Sequence, residues 1–124
     1  MSYEELKAII DMLVSHINNL DRSEKMLKDT ESLSAMRSVM LYKSWKASLI
    51  KIVAKAKETY DEASRGNRLA ASIDGCALAD SVSFVLMGSS PDDPIFVELR
   101  PLLTYLKDLA IAICNPDLQP TIHP

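Results

Sequence analysis

Apolar side chains recur at intervals of three and four residues along most of this 124-residue chain. That interval brings apolar groups onto one side of an α-helix, so it predicts a series of amphipathic helices. The chain contains only three glycines, one tryptophan, four tyrosines and two phenylalanines. Because an all-β fold needs many turns and many strand-forming residues, the sequence predicts an all-α protein.

Capping and helix-breaking residues divide the chain into four main helices and a tail. The helices are predicted at about 3–20, 34–65, 68–87 and 94–114, packed largely antiparallel as a single-domain bundle over residues 1–114. The segment 21–34 is rich in capping and turn residues, so we expect a loop or a short helical turn there. Residues 115–124 contain three prolines, which predicts an extended C-terminal tail.

The helix predicted at 68–87 is apolar on nearly every side, which predicts a central position in the bundle. Gly75 in its middle lowers helix propensity by roughly 1 kcal/mol relative to alanine, so a close crossing with another helix is expected there. Asp80 falls among apolar residues on a helical wheel and is predicted to be a buried polar group. Two interpretations of Asp80 stay open: a core ion pair or hydrogen-bond network, or a carboxylate that binds a ligand or transfers a proton.

The long helix predicted at 34–65 is apolar on two sides. Its main stripe includes Trp45 and Leu49, and a second stripe lies on roughly the opposite side. The second stripe consists of Met36, Met40, Ala47, Ile50 and Ala54. Because one helix cannot bury two opposite stripes unless it lies at the centre of a bundle, the second stripe is predicted to pack against a copy of itself in a two-fold homodimer.

Charge is segregated along the chain, with a basic middle between acidic ends. Residues 37–68 contain eight basic and three acidic side chains, whereas the whole chain has a net charge of −3. One side of the long helix is basic, and it could contact an anion or nucleic acid: Lys43, Lys46, Lys57, Arg65 and Arg68. Aromatic residues do not alternate with these cations, so no base-stacking platform is predicted, and nucleic-acid binding is an alternative function rather than the main one.

Catalytic motifs are absent from the sequence, which predicts a protein that is not an enzyme and has no metal or cofactor. The spacing Glu58-x-x-Asp61-Glu62 resembles half of the magnesium-binding motif of small helical nucleotide pyrophosphatases of the MazG or dUTPase type. That resemblance implies a Mg-dependent pyrophosphatase as a less favoured alternative. The following helix offers only Asp74 and Asp80, which are six residues apart and do not share a face.

The remaining features predict a cytoplasmic protein. The N-terminus is acidic and lacks the pattern of a secretory signal, and the longest apolar stretch, 102–114, is interrupted by charges and too short to span a membrane. The two cysteines, Cys76 and Cys114, form no disulfide framework or metal pattern and are predicted to be reduced thiols in the core.

Taken together, these patterns favour a small helical interaction protein, such as an adaptor, inhibitor or assembly subunit. It would act through its surfaces, associate with itself and bind a protein partner. No membrane association is expected.

Overall fold

The computed structural model describes residues 3–115. Four helices make up this part: α1 (Tyr3–Leu27), α2 (Leu33–Ser64), α3 (Arg68–Gly88) and α4 (Pro94–Cys114). No strand occurs within residues 3–115, so the prediction of an all-α fold with four main helices is confirmed. The tail predicted at 115–124 lies, apart from Asn115, outside the described residues.

The first helix is longer than predicted, because polar side chains in its last two turns have ion-pair partners. The Lys46 ammonium of α2 donates to Asp21 and Glu24 of α1 at 3.0 and 2.9 Å. Lys25 also pairs with Asp21 at 2.9 Å, one turn along the same helix. Short polar residues that favour turns in isolation therefore lie on a helix face, and the loop that was predicted at 21–34 is confined to 28–32.

The connections between helices use stop and start signals that are visible in the sequence. Ser32 caps α2 by accepting a hydrogen bond from the Ala35 N–H at 3.0 Å. Gly66 follows α2 with a φ of 78°, and its N–H and that of Asn67 bond carbonyls of the last turn at 3.1 and 3.0 Å. Asp93 caps α4. Connections this short join antiparallel neighbours.

Each helix packs mainly against its neighbours in the chain. α1 packs on α2, α2 on α3 and α3 on α4, while α1 and α4 meet along a short seam. Large side chains without exposed surface come from all four helices and include Leu6, Leu13, Leu49, Ile52, Leu78, Leu99, Leu103 and Leu106. Burial of one such side chain stabilises the fold by about 2 kcal/mol. The arrangement is consistent with a bundle around one shared core.

The prediction that α3 lies at the centre is wrong. It contacts α2 on one side and α4 on the other, and its remaining side faces outward. Four large apolar residues on that side are exposed: Leu69, Ile73, Phe84 and Met87. A helix that is apolar all round need not be central, because a bundle of four helices covers only the sides that face its neighbours.

The crossing between α3 and α4 is close at Gly75, as the sequence predicted. A β-carbon placed there would lie 2.9 Å from Ile113 Cγ2 and 3.2 Å from the Cys114 backbone nitrogen. One residue further along α3, Cys76 forms a disulfide with Cys114 across a Cα–Cα distance of 4.5 Å. The prediction of two reduced thiols in the core is therefore wrong, because both cysteines are only partly buried and the crossing brings them together.

Candidate interaction face on α2 and α3

The second stripe of the long helix lies on the outside of the molecule. Met36, Met40 and Ile50 are 57%, 71% and 53% exposed, and Ala47 and Ala54 are also exposed. The five residues predicted as a protein interface are therefore not covered by the described part of their own chain. We call them the α2 ridge.

A second row of exposed apolar residues runs along α3. Leu69, Ile73, Phe84 and Met87 are 74%, 62%, 80% and 87% exposed, and we call them the α3 ridge. The sequence analysis missed this row because it assigned the same residues to the core. The signal was present in the spacing 69, 73, 80, 84 and 87, which places Asp80 on the same helix face. A carboxylate in such a row indicates a face that reaches water.

A groove separates the two ridges. It contains two adjoining cavities of about 290 and 390 Å³, both lined by Ser48, Phe84 and Val85. Ser44 of α2 and Ser81 of α3 add further hydroxyl groups, one to each cavity. The face as a whole thus consists of two apolar ridges on either side of a channel lined in part by hydroxyls.

Two opposite charges face each other across this groove. Lys51 of α2 and Asp80 of α3 line the same cavity of about 390 Å³, and both residues are exposed. The prediction that Asp80 is buried is wrong, because the face on which it lies points to solvent. Within the described part of the chain, neither side chain has an ion-pair partner within 4 Å.

The next lysine along α2 differs from Lys51. The Lys55 ammonium lies 2.9 Å from a Glu58 carboxylate oxygen and 3.6 Å from one of Asp74. The hydrogen bond to Glu58 is the main cause that raises the pKa of Lys55. Lys55 is thus paired with two carboxylates of the chain, whereas Lys51, one helical turn before it, has none within 4 Å among the described residues.

One end of the groove is held in place by a polar contact between α2 and the start of α4. The Trp45 indole N–H donates to the Asp93 carboxylate at 2.8 Å, and the Trp45 ring stacks on Phe96 with centroids 6.1 Å apart. Asp93 also accepts hydrogen bonds from the Ile95 and Phe96 backbone N–H groups. The same carboxylate thus caps a helix and fixes the tryptophan that lines the groove.

The basic side of α2 is divided by the fold. Lys46, in the middle of the five cations predicted to contact an anion, binds Asp21 and Glu24, and these bonds raise its pKa. Lys43 and Lys57 are exposed on α2, and Arg65 and Arg68 are exposed near the α2–α3 connection. The structure does not bring the five residues together as one row of cations, and nucleic-acid binding stays a prediction.

The carboxylates of the pyrophosphatase-like half motif lie at the end of α2. Glu58 is bound to Lys55, and the same lysine reaches Asp74 on the neighbouring helix. No group of three or more His, Cys, Asp or Glu side chains within residues 3–115 is arranged to hold a metal ion. The packing of the described helices therefore does not supply the second half of the magnesium-binding motif.

By length and composition alone, α3 is the one helix among residues 3–115 that could cross a membrane. Only 28% of its most apolar stretch is buried within the protein. Many helices of proteins that never enter a membrane have a similar length and composition. The predicted cellular location therefore stays untested. The low burial reflects the apolar side of α3 that the other described helices leave uncovered.

Comparison with known proteins does not assign a family. The chain matches no family of proteins, no curated protein and no solved structure.

Proposed function

We propose that this chain is a protein-interaction module and that its working surface is the α2–α3 face, made of the two ridges and the groove between them. One observation carries the proposal: two helices that pack on each other both leave large apolar side chains exposed, next to the groove between them. Clusters of exposed apolar side chains are typical of sites that bind another protein. The groove supplies the concave part of the site and the ridges supply the anchors.

A partner on this face would also remove from water large apolar side chains that the isolated chain leaves exposed. Phe84 and Met87 are 80% and 87% exposed, although burial of such side chains contributes roughly 1.5–3 kcal/mol each. Methionines adapt to irregular partner surfaces, and Met36 and Met40 lie at one end of the α2 ridge. A partner on this face would cover both ridges at once.

Site-specific photocrosslinking tests this function. A benzophenone amino acid is placed at position 84, in the groove wall. In a matched variant it is placed at position 97, because Val97 of α4 is 59% exposed but lines neither cavity of the groove. After illumination in cells that make the protein, we expect a discrete protein adduct from position 84 and none from position 97. Ile50→Glu on the opposite ridge should suppress the adduct.

Two results contradict the proposal. One is the absence of any protein adduct from position 84 at full expression. The other is the same set of adducts from positions 84 and 97, because non-specific crosslinking would give the same products at both positions. Mass spectrometry of the adduct identifies the partner.

A further inference from the structure

We infer that the occupant of the α2–α3 face is a second copy of this chain, related by a two-fold axis that runs along the groove. In this arrangement α2 of one protomer packs over α3 of its partner. The inference rests on the proposed function and adds the partner and its orientation. Two observations carry it: the unpaired charges on either side of the groove, and the sizes of the side chains on the two ridges.

The charges favour a copy because they are self-complementary. Lys51 and Asp80 line one cavity from opposite sides, so they lie at the same height along the groove. Rotation about an axis along the groove exchanges the positions of α2 and α3. Lys51 then lies opposite the partner's Asp80, and Asp80 opposite the partner's Lys51. Two ion pairs form from groups that have no partner within the described part of their own chain.

The side-chain sizes favour the same rotation. Ser48 and Phe84 line both cavities, so Ala47, next to Ser48, lies close to the height of Phe84. The axis places the Phe84 ring over the partner's Ala47, where a small side chain leaves room for an aromatic group. The two ridges therefore meet as a projection and a depression, which is the packing that close contact between helices needs.

The sequence alone predicted a different dimer, in which the α2 ridge meets a copy of itself. That packing places Lys51 on the same side as the partner's Lys51 and leaves the α3 ridge in water. Packing α2 over α3 of the partner instead covers the parts of the two ridges around Ala47, Ile50 and Phe84 and pairs both charges. The difference follows from the exposed position of α3, which the sequence analysis had placed in the core.

A membrane fits the face less well than a second copy. Asp80 lies within the α3 ridge, and a lone carboxylate inside the apolar layer of a membrane is costly. Ser44, Ser48 and Ser81 line the groove between the ridges and would also be placed against lipid. In the dimer the carboxylate is paired and the hydroxyls face the hydroxyls of the partner.

Charge reversal tests the inference, with light scattering and sedimentation as the measurements. The wild-type chain should have twice the protomer mass of 13.8 kDa. Lys51→Glu and Asp80→Lys each create two like-charge pairs in the dimer, so we expect dimerisation to weaken by about tenfold or more in Kd. The two single variants should then behave as monomers at concentrations where the wild type is a dimer.

The decisive measurement mixes the two single variants in equal amounts. A heterodimer of Lys51→Glu with Asp80→Lys has opposite charges at both contacts, so the mixture should recover the dimer mass. The double variant, Lys51→Glu with Asp80→Lys, should recover it alone. Lys7→Glu and Asp11→Lys make the same changes on exposed surface of α1, outside the α2–α3 face, and should not alter the mass. Circular dichroism should show equal helix content throughout.

Three outcomes overturn the inference. In the first, the wild-type chain is a monomer at high micromolar concentration. In the second, the double variant dimerises but the mixture does not, which places the charge contact within one chain. In the third, monomers bind vesicles of neutral and anionic phospholipid through this face. If the chain is monomeric and the probe at position 84 still captures another protein, the interaction function stands and self-pairing fails.

Discussion

At the scale of single residues, Gly75 determines how closely α3 and α4 approach. Of the three atoms nearest to a β-carbon placed at Gly75, two belong to Ile113. The β-branched side chain of isoleucine has little rotamer freedom. The third is a backbone nitrogen, which cannot rotate away. A position with these neighbours tolerates no β-carbon without a shift of one helix.

We expect Gly75→Ala to destabilise the fold despite its better helix propensity. Overpacking costs about 1–3 kcal/mol, and the gain from replacing glycine inside a helix is about 1 kcal/mol, so the free energy of unfolding should fall by up to about 2 kcal/mol. Denaturant unfolding measures the change. Gly88→Ala is the matched control, since nothing lies within 4 Å of a β-carbon there. Equal stability of the two variants would contradict the close crossing.

The residue scale also shows why some site residues escaped the sequence analysis. Lys46 looks like one more exposed lysine, because its partners Asp21 and Glu24 lie more than twenty residues away in the chain. Asp80 was assigned to the core because its neighbours on the helix are apolar. The helical wheel placed Asp80 on the right face, but a single helix does not reveal which of its faces other helices cover.

At the scale of elements, the disulfide joins α3 to the last residue of α4 and closes a loop with a sequence separation of 38 residues. Ser72 of α3 also donates to the Cys114 carbonyl at 2.7 Å. Disulfides persist in oxidising compartments and are reduced in the cytoplasm. The cytoplasmic location therefore stays a prediction.

We expect reduction of the bridge to lower the free energy of unfolding by about 3–4 kcal/mol, because an open chain of this length gains loop entropy in the unfolded state. Thermal and denaturant unfolding with and without a thiol reductant measure the difference. The double variant Cys76→Ala with Cys114→Ala is the control and should not respond to reductant. If the oxidised wild type is no more stable than this variant, the bridge contributes nothing to the fold.

Element boundaries show what periodicity can and cannot predict. The starts of α2, α3 and α4 were close to the observed ones because caps such as Ser32 and Asp93 lie directly before apolar repeats. The end of α1 was placed too early, since its last turns are held by α2 rather than by local chemistry. The ends of α2, α3 and α4 were also predicted to within one residue, so local signals failed only where tertiary contacts extend a helix.

At the scale of the whole molecule, ion pairs and tyrosines set the dependence of stability on pH. Hydrogen bonds from Lys25 and then Lys46 lower the pKa of Asp21. Carboxylate partners raise the pKa of Lys46 and Lys55, and burial is the main cause that raises the pKa of Tyr3 and Tyr105. The lowered pKa of Asp21 stabilises the fold above the pH range in which aspartate titrates in the unfolded chain. The raised pKa values of the two lysines and the two tyrosines stabilise the fold below the pH range in which lysine and tyrosine titrate in the unfolded chain.

We therefore expect the free energy of unfolding to be level between about pH 5 and 9. It should fall below about pH 4, where the unfolded chain takes up protons at Asp21, and above about pH 10, where the unfolded chain releases them from lysine and tyrosine. Urea unfolding across this range measures the curve. Lys46→Met should reduce the alkaline fall, and Lys7→Met on α1 should leave it unchanged. Stability that rises above pH 10 would contradict these pKa directions.

The order in which the helices contact one another has a consequence for folding kinetics. Most helix contacts join neighbours in the chain, and α1 and α4, the most distant pair, share only a short seam. Chains with such local contacts have low contact order and fold in microseconds to milliseconds. The hairpins α1–α2 and α3–α4 can each form before the other is in place. We expect the α1–α4 seam to close last, since its formation requires the longest loop closure in the chain.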